Sequence, residues 1–76
     1  MTQFYVVEVR QHANGEYSHD VHYTWDEDPV TAQLKGESKF YEVLAAAAVS
    51  EHPVHSAILF GTDCVALMAK SFKHST

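Results

Sequence analysis

The chain has 76 residues with ten acidic and five basic side chains, and this length predicts a single domain over residues 1–76. A formal net charge of −5 argues against phosphate binding along duplex nucleic acid, and no apolar run approaches the roughly 20 residues that span a bilayer, so we expect no membrane partner. The first ten residues lack the basic segment of a secretion signal, and one cysteine, Cys64, fits a reducing compartment, so we expect a cytoplasmic protein without an internal disulfide.

A β-hairpin is predicted at the start of the chain. The segment Gln3–Gln11 is rich in β-branched and aromatic residues, which favour strands. The Asn-Gly pair at positions 14 and 15 tolerates the positive φ angles that tight hairpin turns require. The return strand, Tyr17–Trp25, alternates apolar and polar residues, so that Tyr23 and Trp25 share one face. The alternative to a binding role for these two aromatic side chains is that at least one of them packs beneath the helix.

A long helix is predicted over Pro29–Ser50. Asp28 is a favourable N-cap residue, Pro29 suits the first helical position, and the preceding Asp26 and Glu27 place negative charge where the helix dipole favours it. Apolar or small residues recur at helical spacing at Gly36, Phe40, Val43, Leu44 and Ala47. A glycine inside a helix costs about 1 kcal/mol relative to alanine. Gly36 therefore indicates either a close backbone contact or a weak first half of the helix.

Two further strands, His55–Phe60 and Cys64–Phe72, are predicted on either side of a Gly-Thr-Asp turn. The order ββαββ predicts an α+β fold, a four-stranded antiparallel sheet with one long helix on one face. The strands are apolar on both faces in places, and a single helix can cover only one. A second helical stripe consists of Tyr41, Ala45, Ala48 and Val49. Both features predict a homo-oligomer, a dimer first, although packing into one small core is the alternative.

The segment around Pro53 raises the question of a chemical site. His52 and His55 have a spacing that could serve a metal in a loop, but zinc needs three or four ligands and no convincing third one lies nearby. The alternative is that both histidines contact the last carbonyls of the helix. Catalysis by a serine would require a nucleophile elbow or a glycine-rich oxyanion loop, and the chain has only three glycines. We therefore expect no metal, no cofactor and no enzymatic activity.

Binding is the better supported interpretation. Aromatic side chains are enriched at protein interfaces and also stack on nucleotide bases. The candidate binding residues are Tyr23, Trp25, Asp26, Glu27, Asp28, His52 and His55. The candidate oligomer interface is the helical stripe of Tyr41, Ala45, Ala48 and Val49. A host protein or a small nucleotide is the expected partner.

One stretch of the chain supports a resemblance. Residues Lys39–Ala57 carry the pattern K-[FY]-x-x-[VIL]-L-x-A-A-A-x-S, followed by four residues and then H-S-A. This pattern resembles a group of small proteins encoded in phages and prophages of Gram-positive gut bacteria. The opening "YVVEVRQHANG" and the closing "SFKH" are similar to the same group, so the resemblance covers most of the chain.

The resemblance implies a context and not a chemistry, because the group has no assigned activity. It implies a phage-encoded protein in the cytoplasm of the host cell. The expected function is that of a non-enzymatic accessory protein that antagonises host defence, either by binding a host protein or by sequestering a nucleotide signal. The alternatives are a structural or assembly protein of the virion and a histidine-based metal-binding protein.

Overall fold

The computed structural model describes residues 2–74 and contains four strands and one helix. In chain order the elements are β1 (Thr2–Gln11), β2 (Tyr17–Asp26), α1 (Pro29–Ala48), β3 (Val54–Phe60) and β4 (Ala66–Lys73). The strands form one antiparallel sheet in the order β2-β1-β3-β4, with α1 packed on one face. The expected α+β class, with its ββαββ order, is confirmed.

Backbone geometry at the turns explains the element boundaries. Gly15 has a φ of 89°, so the Asn-Gly pair provides the left-handed residue that closes the first hairpin. The last strand begins two residues later than expected because Cys64 also lies in the left-handed region, with a φ of 63°. There the Cys64 amide donates to the Gly61 carbonyl at 3.1 Å. The helix ends at Ala48, two residues earlier than expected.

The start of α1 follows from local chemistry. The Asp28 carboxylate accepts a hydrogen bond from the Thr31 backbone N–H at 2.9 Å, and Pro29 occupies the first helical position. This arrangement confirms Asp28 as the N-cap residue, which satisfies one of the free amides at the helix start. Within residues 2–74, no helix combines the length and apolarity needed to cross a bilayer.

The face of α1 that meets the sheet is the predicted one. Its buried residues are Ala32, Gly36, Phe40, Val43 and Ala47, and Leu44 is partly buried beside them. A Cβ atom on Gly36 would lie 2.9 Å from Cβ of Phe4 and 3.2 Å from Cδ1 of Leu59. Gly36 therefore marks a close approach of helix and sheet.

The core between helix and sheet is small. From the sheet it receives Phe4, Val6, Ala57 and Leu59. Among the described residues, the largest fully buried side chains are Phe40, Leu59 and Val6. Burying so few large side chains gives a 76-residue domain a modest hydrophobic contribution.

Candidate binding surface

The sheet has a second face, directed away from α1, which we call the open face. Alternation along the paired strands assigns its members. They are Gln3, Tyr5, Val7, Val9 and Gln11 of β1; Tyr17, His19, Val21, Tyr23 and Trp25 of β2; Val54, Ser56, Ile58 and Phe60 of β3; and Ala66, Ala69, Ser71 and Lys73 of β4. Nothing within the described chain covers this face. Its central side chains are half-buried among their neighbours, and Tyr17, Val21, Tyr23 and Trp25 of β2 are exposed.

An aromatic row crosses the open face. The Tyr5 ring lies 6.1 Å from the Tyr23 ring and 5.3 Å from the Phe60 ring, stacking on the latter at an interplanar angle of 18°. Cross-strand aromatic pairs of this kind stabilise a sheet and present a flat apolar surface. The Tyr5 hydroxyl donates to Cys64 Sγ at 3.0 Å, and this hydrogen bond raises the Tyr5 pKa.

A row of aliphatic side chains lies beside the aromatic row. Val7 pairs with Val21 on one side and with Ile58 on the other, and Ile58 in turn pairs with Ala69. Polar residues lie toward the two ends of the strands, Gln3 at one end and His19, Ser56, Ser71 and Gln11 toward the other, whereas the edge along β2 is largely apolar. An apolar centre with a polar rim is the usual anatomy of a protein interface.

Tyr23 and Trp25 both belong to the open face, so the alternative that one of them packs under the helix is wrong. Their exposed fractions are 64% and 55%. The reason is register, because Val6 of the core pairs with His22 and Phe4 with Thr24. Asp20, His22 and Thr24 of β2 therefore lie on the helix side.

The helix side of the sheet contains a polar network that consists of Glu8, Arg10, Asp20, His22, Ser50 and His55. Its centre is the Glu8 carboxylate, whose side chain is only 13% exposed. His22 Nε2 donates to one carboxylate oxygen at 2.9 Å, and His55 Nε2 donates to the other at 2.5 Å. Arg10 approaches the latter oxygen at 3.1 Å.

The electrostatics of this network favour the ionised Glu8. Burial raises the pKa of the Glu8 carboxyl, but the hydrogen bonds from His22 and His55 and the charge of Arg10 together outweigh it. The Glu8 pKa therefore lies below its ordinary value of 4.5. Arg10 has a second partner in Asp20, and that hydrogen bond raises the Arg10 pKa.

A chain of hydrogen bonds from Ser50 through His55 to Glu8 has the composition of a hydrolase relay. His55 Nδ1 lies 2.9 Å from the Ser50 hydroxyl, so with the ring proton on Nε2 the hydroxyl donates to Nδ1. Ser50, however, follows the C-terminus of α1, where backbone carbonyls place partial negative charge. That setting opposes the negative oxygen of an acyl-transfer intermediate, which requires donors such as backbone N–H groups. The two hydrogen bonds hold the His55 ring in a fixed orientation in the core.

The alternative that both histidines around Pro53 contact the last carbonyls of the helix is wrong. His55 is 4% exposed and uses both ring nitrogens, one with Glu8 and one with Ser50. The last helical carbonyls are not its partners. Instead His74 approaches the Ala47 carbonyl at 2.9 Å with its Nε2.

His52 sits beside the network without a hydrogen bond between its side chain and the described residues. Its ring lies 5.1 Å from the His12 ring and 5.5 Å from the His55 ring. Partial burial and the neighbouring His12 and His55 lower the His52 pKa. Within residues 2–74, no group of three or more His, Cys, Asp or Glu side chains is arranged to hold a metal ion.

The acidic run that precedes α1 has mainly structural partners. Lys35 donates to the Asp26 carboxylate at 2.8 Å, and the Asp28 backbone N–H donates to it at 2.9 Å. The Lys35 contact is the main cause of a lowered Asp26 pKa. Asp28 caps the helix, which leaves Glu27 as the exposed member without a structural partner among the described residues.

The outer surface of α1 contains the second candidate interface. Tyr41, Ala45, Ala48 and Val49 are all exposed, and Val49 lies just beyond the last helical residue. This stripe points away from the sheet and thus lies on the opposite side of the molecule from the open face. The two candidate interfaces are therefore separate surfaces.

Comparisons with known proteins returned no relative: no family model matches the chain, and no curated protein or solved structure matches it significantly.

Sequence reasoning missed Glu8 and Arg10 as members of the polar network. A signal was present, because both share a strand face with Phe4 and Val6 and thus interrupt an apolar alternation with charge. A charged residue on the buried face of a strand requires a partner. The histidine partners of Glu8 come from β2 and β3, however, and strand order determines those contacts.

Proposed function

We propose that this chain is a non-enzymatic binding protein and that the open face is its binding surface. In the context that the phage resemblance implies, it is an accessory protein of a phage. It acts in the cytoplasm of the host cell and antagonises host defence by occupying the surface of a host protein.

The observation that carries this proposal is the continuous apolar centre of the open face. Tyr5, Tyr23 and Phe60 form one row, and Val7 and Ile58 lie in the next. Large exposed apolar patches with a polar rim mark interaction sites, because a monomer gains nothing from leaving them in water. Flat aromatic surfaces also provide large contact areas at a low entropic cost.

The acidic run is a weaker candidate for the binding surface. Asp28 caps α1 and Asp26 pairs with Lys35, so both carboxylates stabilise the fold. Reversing their charge would remove a helix cap and an ion pair at once, and lost binding could then result from lost stability. Substitutions on the open face avoid this difficulty, because Tyr23 and Trp25 are already exposed.

The test is a phage-defence assay with a matched control. Cells with an active defence system would express the wild type, the double variant Tyr23→Ala/Trp25→Ala, or Val30→Ala, which alters an exposed apolar residue of the helix. We expect the wild type and Val30→Ala to restore phage plating and the double variant to lose this effect. Affinity capture should recover a host protein with the first two only. Unchanged antagonism by a folded double variant would refute the proposal.

Sequestration of a nucleotide signal is the variant of this function that the aromatic row also favours, since bases stack on exposed aromatic rings. Native mass spectrometry of the gently purified protein distinguishes the two variants. Added mass that matches a nucleotide and disappears in the double variant would support sequestration, whereas bare protein would support a protein target. Finding the chain in purified phage particles would instead favour the virion role.

A further inference from the structure

We propose that the open face is occupied by a second copy of this chain, in a two-fold symmetric dimer that packs sheet against sheet. The inference goes beyond the proposed function: it assigns the same face to a second copy of the chain, with which a host target would compete. A two-fold axis presents the same patch from each copy, so the patch must be complementary to itself.

The area of the face suits such a dimer. The shortest strand, β3, has 7 residues. Four strands about 4.8 Å apart, overlapping over about seven residues of about 3.3 Å each, form a face of roughly 19 Å by 23 Å, or about 440 Å² of flat area. The longer β1 and β2 extend this face by a further row, in which Gln3 pairs with Trp25. Two such faces, with the relief of their side chains, bury on the order of 1,000 Å², which is the lower range of specific interfaces.

The charge distribution favours a copy over other partners. Among the strand residues that the structure describes, Lys73 is the only Lys, Arg, Asp or Glu on the open face, and it lies at the end of β4. The ten acidic residues all lie on the helix side, in the helix or in the turns. Two copies with a net charge of −5 each would repel one another through most orientations, but the open face brings together no like charges.

The same distribution disfavours the other occupants. A basic host protein would find no carboxylate on the strands of this face, since Asp63 lies in the turn at its edge, and an anionic membrane would find no cluster of Lys or Arg there. A second copy also compensates for the small core, because it would cover the Tyr5 and Val7 side chains with an equally apolar surface. A host target would then compete with the second copy for the same residues.

The experiment compares three lysine substitutions by sedimentation equilibrium over a hundredfold range of concentration. Val7→Lys places a charge at the centre of the open face, whereas Leu34→Lys places the same charge on an exposed helix residue and serves as the control. Ala45→Lys tests the outer stripe of the helix as the competing interface. Circular dichroism would verify that each variant is folded.

We expect a dimeric wild type, dimeric Leu34→Lys and Ala45→Lys, and a dissociation constant raised about 100-fold or more in Val7→Lys, because two unpaired charges would meet in an apolar interface. Tyr23→Lys is the second open-face variant if Val7→Lys fails to fold, since position 23 is 64% exposed. A wild type that stays monomeric throughout, or a dimer that Ala45→Lys dissociates and the open-face variants do not, would overturn the inference.

A second measurement needs no variant. Trp25 is the single tryptophan of the chain and lies on the open face, so dilution of the wild type should shift its emission to longer wavelengths as the face becomes exposed. Emission that is independent of concentration while sedimentation shows dissociation would contradict a sheet-to-sheet dimer. A monomeric wild type whose antagonism is lost in Tyr23→Ala/Trp25→Ala would refute the dimer and leave the proposed function standing. A dimeric wild type whose antagonism survives that change would support the dimer and refute the proposed function.

Discussion

Replacement of Glu8 by glutamine should destabilise the protein, because this carboxylate organises the polar network under the helix. Glutamine has a similar shape but no charge, and an NH2 group that donates hydrogen bonds replaces one of the two carboxylate oxygens. His22 and His55 each donate to a different oxygen of Glu8, at 2.9 and 2.5 Å. In Glu8→Gln an NH2 group replaces one of these two acceptors, so the histidine that faces it must move its ring proton to Nδ1 or lose the hydrogen bond, and Arg10 loses a charged partner in either case.

The magnitude follows from the partners that remain. Removing one member of a buried ion pair costs about 3–5 kcal/mol, and a charge-assisted hydrogen bond contributes about 1.5–3 kcal/mol. Arg10 keeps Asp20 as a second partner, so the loss lies at the lower end. We expect a reduction of about 2–3 kcal/mol in the free energy of unfolding, or a fall in Tm of roughly 10–20 °C for a domain of this size.

The assay is urea denaturation followed by circular dichroism, with Glu42→Gln as the matched control. The Glu42 side chain is 70% exposed and approaches Lys39 at 3.3 Å, so its loss should change the free energy of unfolding by less than about 0.5 kcal/mol. Equal stabilities of Glu8→Gln and the wild type at neutral pH would refute the reasoning.

The pH dependence provides an independent check. Because the folded state lowers the Glu8 pKa, its stabilisation is present above the ordinary pKa of 4.5 and is lost as the pH falls through the lower folded-state value. The difference in the free energy of unfolding between the wild type and Glu8→Gln should therefore become smaller below about pH 4.5. A difference that stays constant from pH 7 into this range would show that the charge of Glu8 is not the cause.

Two further predictions concern the helix and the turn that follows it. Gly36→Ala should lower the free energy of unfolding by about 1–2 kcal/mol in urea denaturation: the new Cβ would lie 2.9 Å from Phe4 Cβ, and overpacking outweighs the gain in helix propensity. Ser38→Ala, at an exposed helix position, is the control, and a stabilised Gly36→Ala would contradict the close approach. His52→Gln should lose less stability than the wild type as the pH falls through the ordinary histidine pKa of 6.5. The folded state lowers the His52 pKa, so protonation favours unfolding of the wild type. If the urea midpoints of the wild type and His52→Gln fell equally with pH, this reasoning would be contradicted.

The sequence by itself determined the local elements, because their signals lie within a few residues of one another. The Asn-Gly pair at 14 and 15 specified a hairpin, and Asp28 with Pro29 specified a helix start. The apolar spacing from Gly36 to Ala47 identified the buried face of the helix, since a period of 3.6 residues is a property of the helix alone.

Only the tertiary structure decided which face of the sheet meets the helix. Both faces of β1 are apolar, so alternation along the strand could not distinguish them. Once Phe4 and Val6 pack under α1, the register with β2 places His22 beneath the helix and Tyr23 on the open face. The open face as a candidate binding surface is therefore a consequence of strand pairing.

The polar network likewise depends on contacts between distant parts of the chain. Glu8 and His55 are separated by 47 residues in sequence, and Glu8 and His22 by 14. Their approach requires β1 to pair with β2 on one side and with β3 on the other. The period of a sequence pattern describes one element at a time. The partners of a buried charge depend instead on the spatial order of the strands in the sheet.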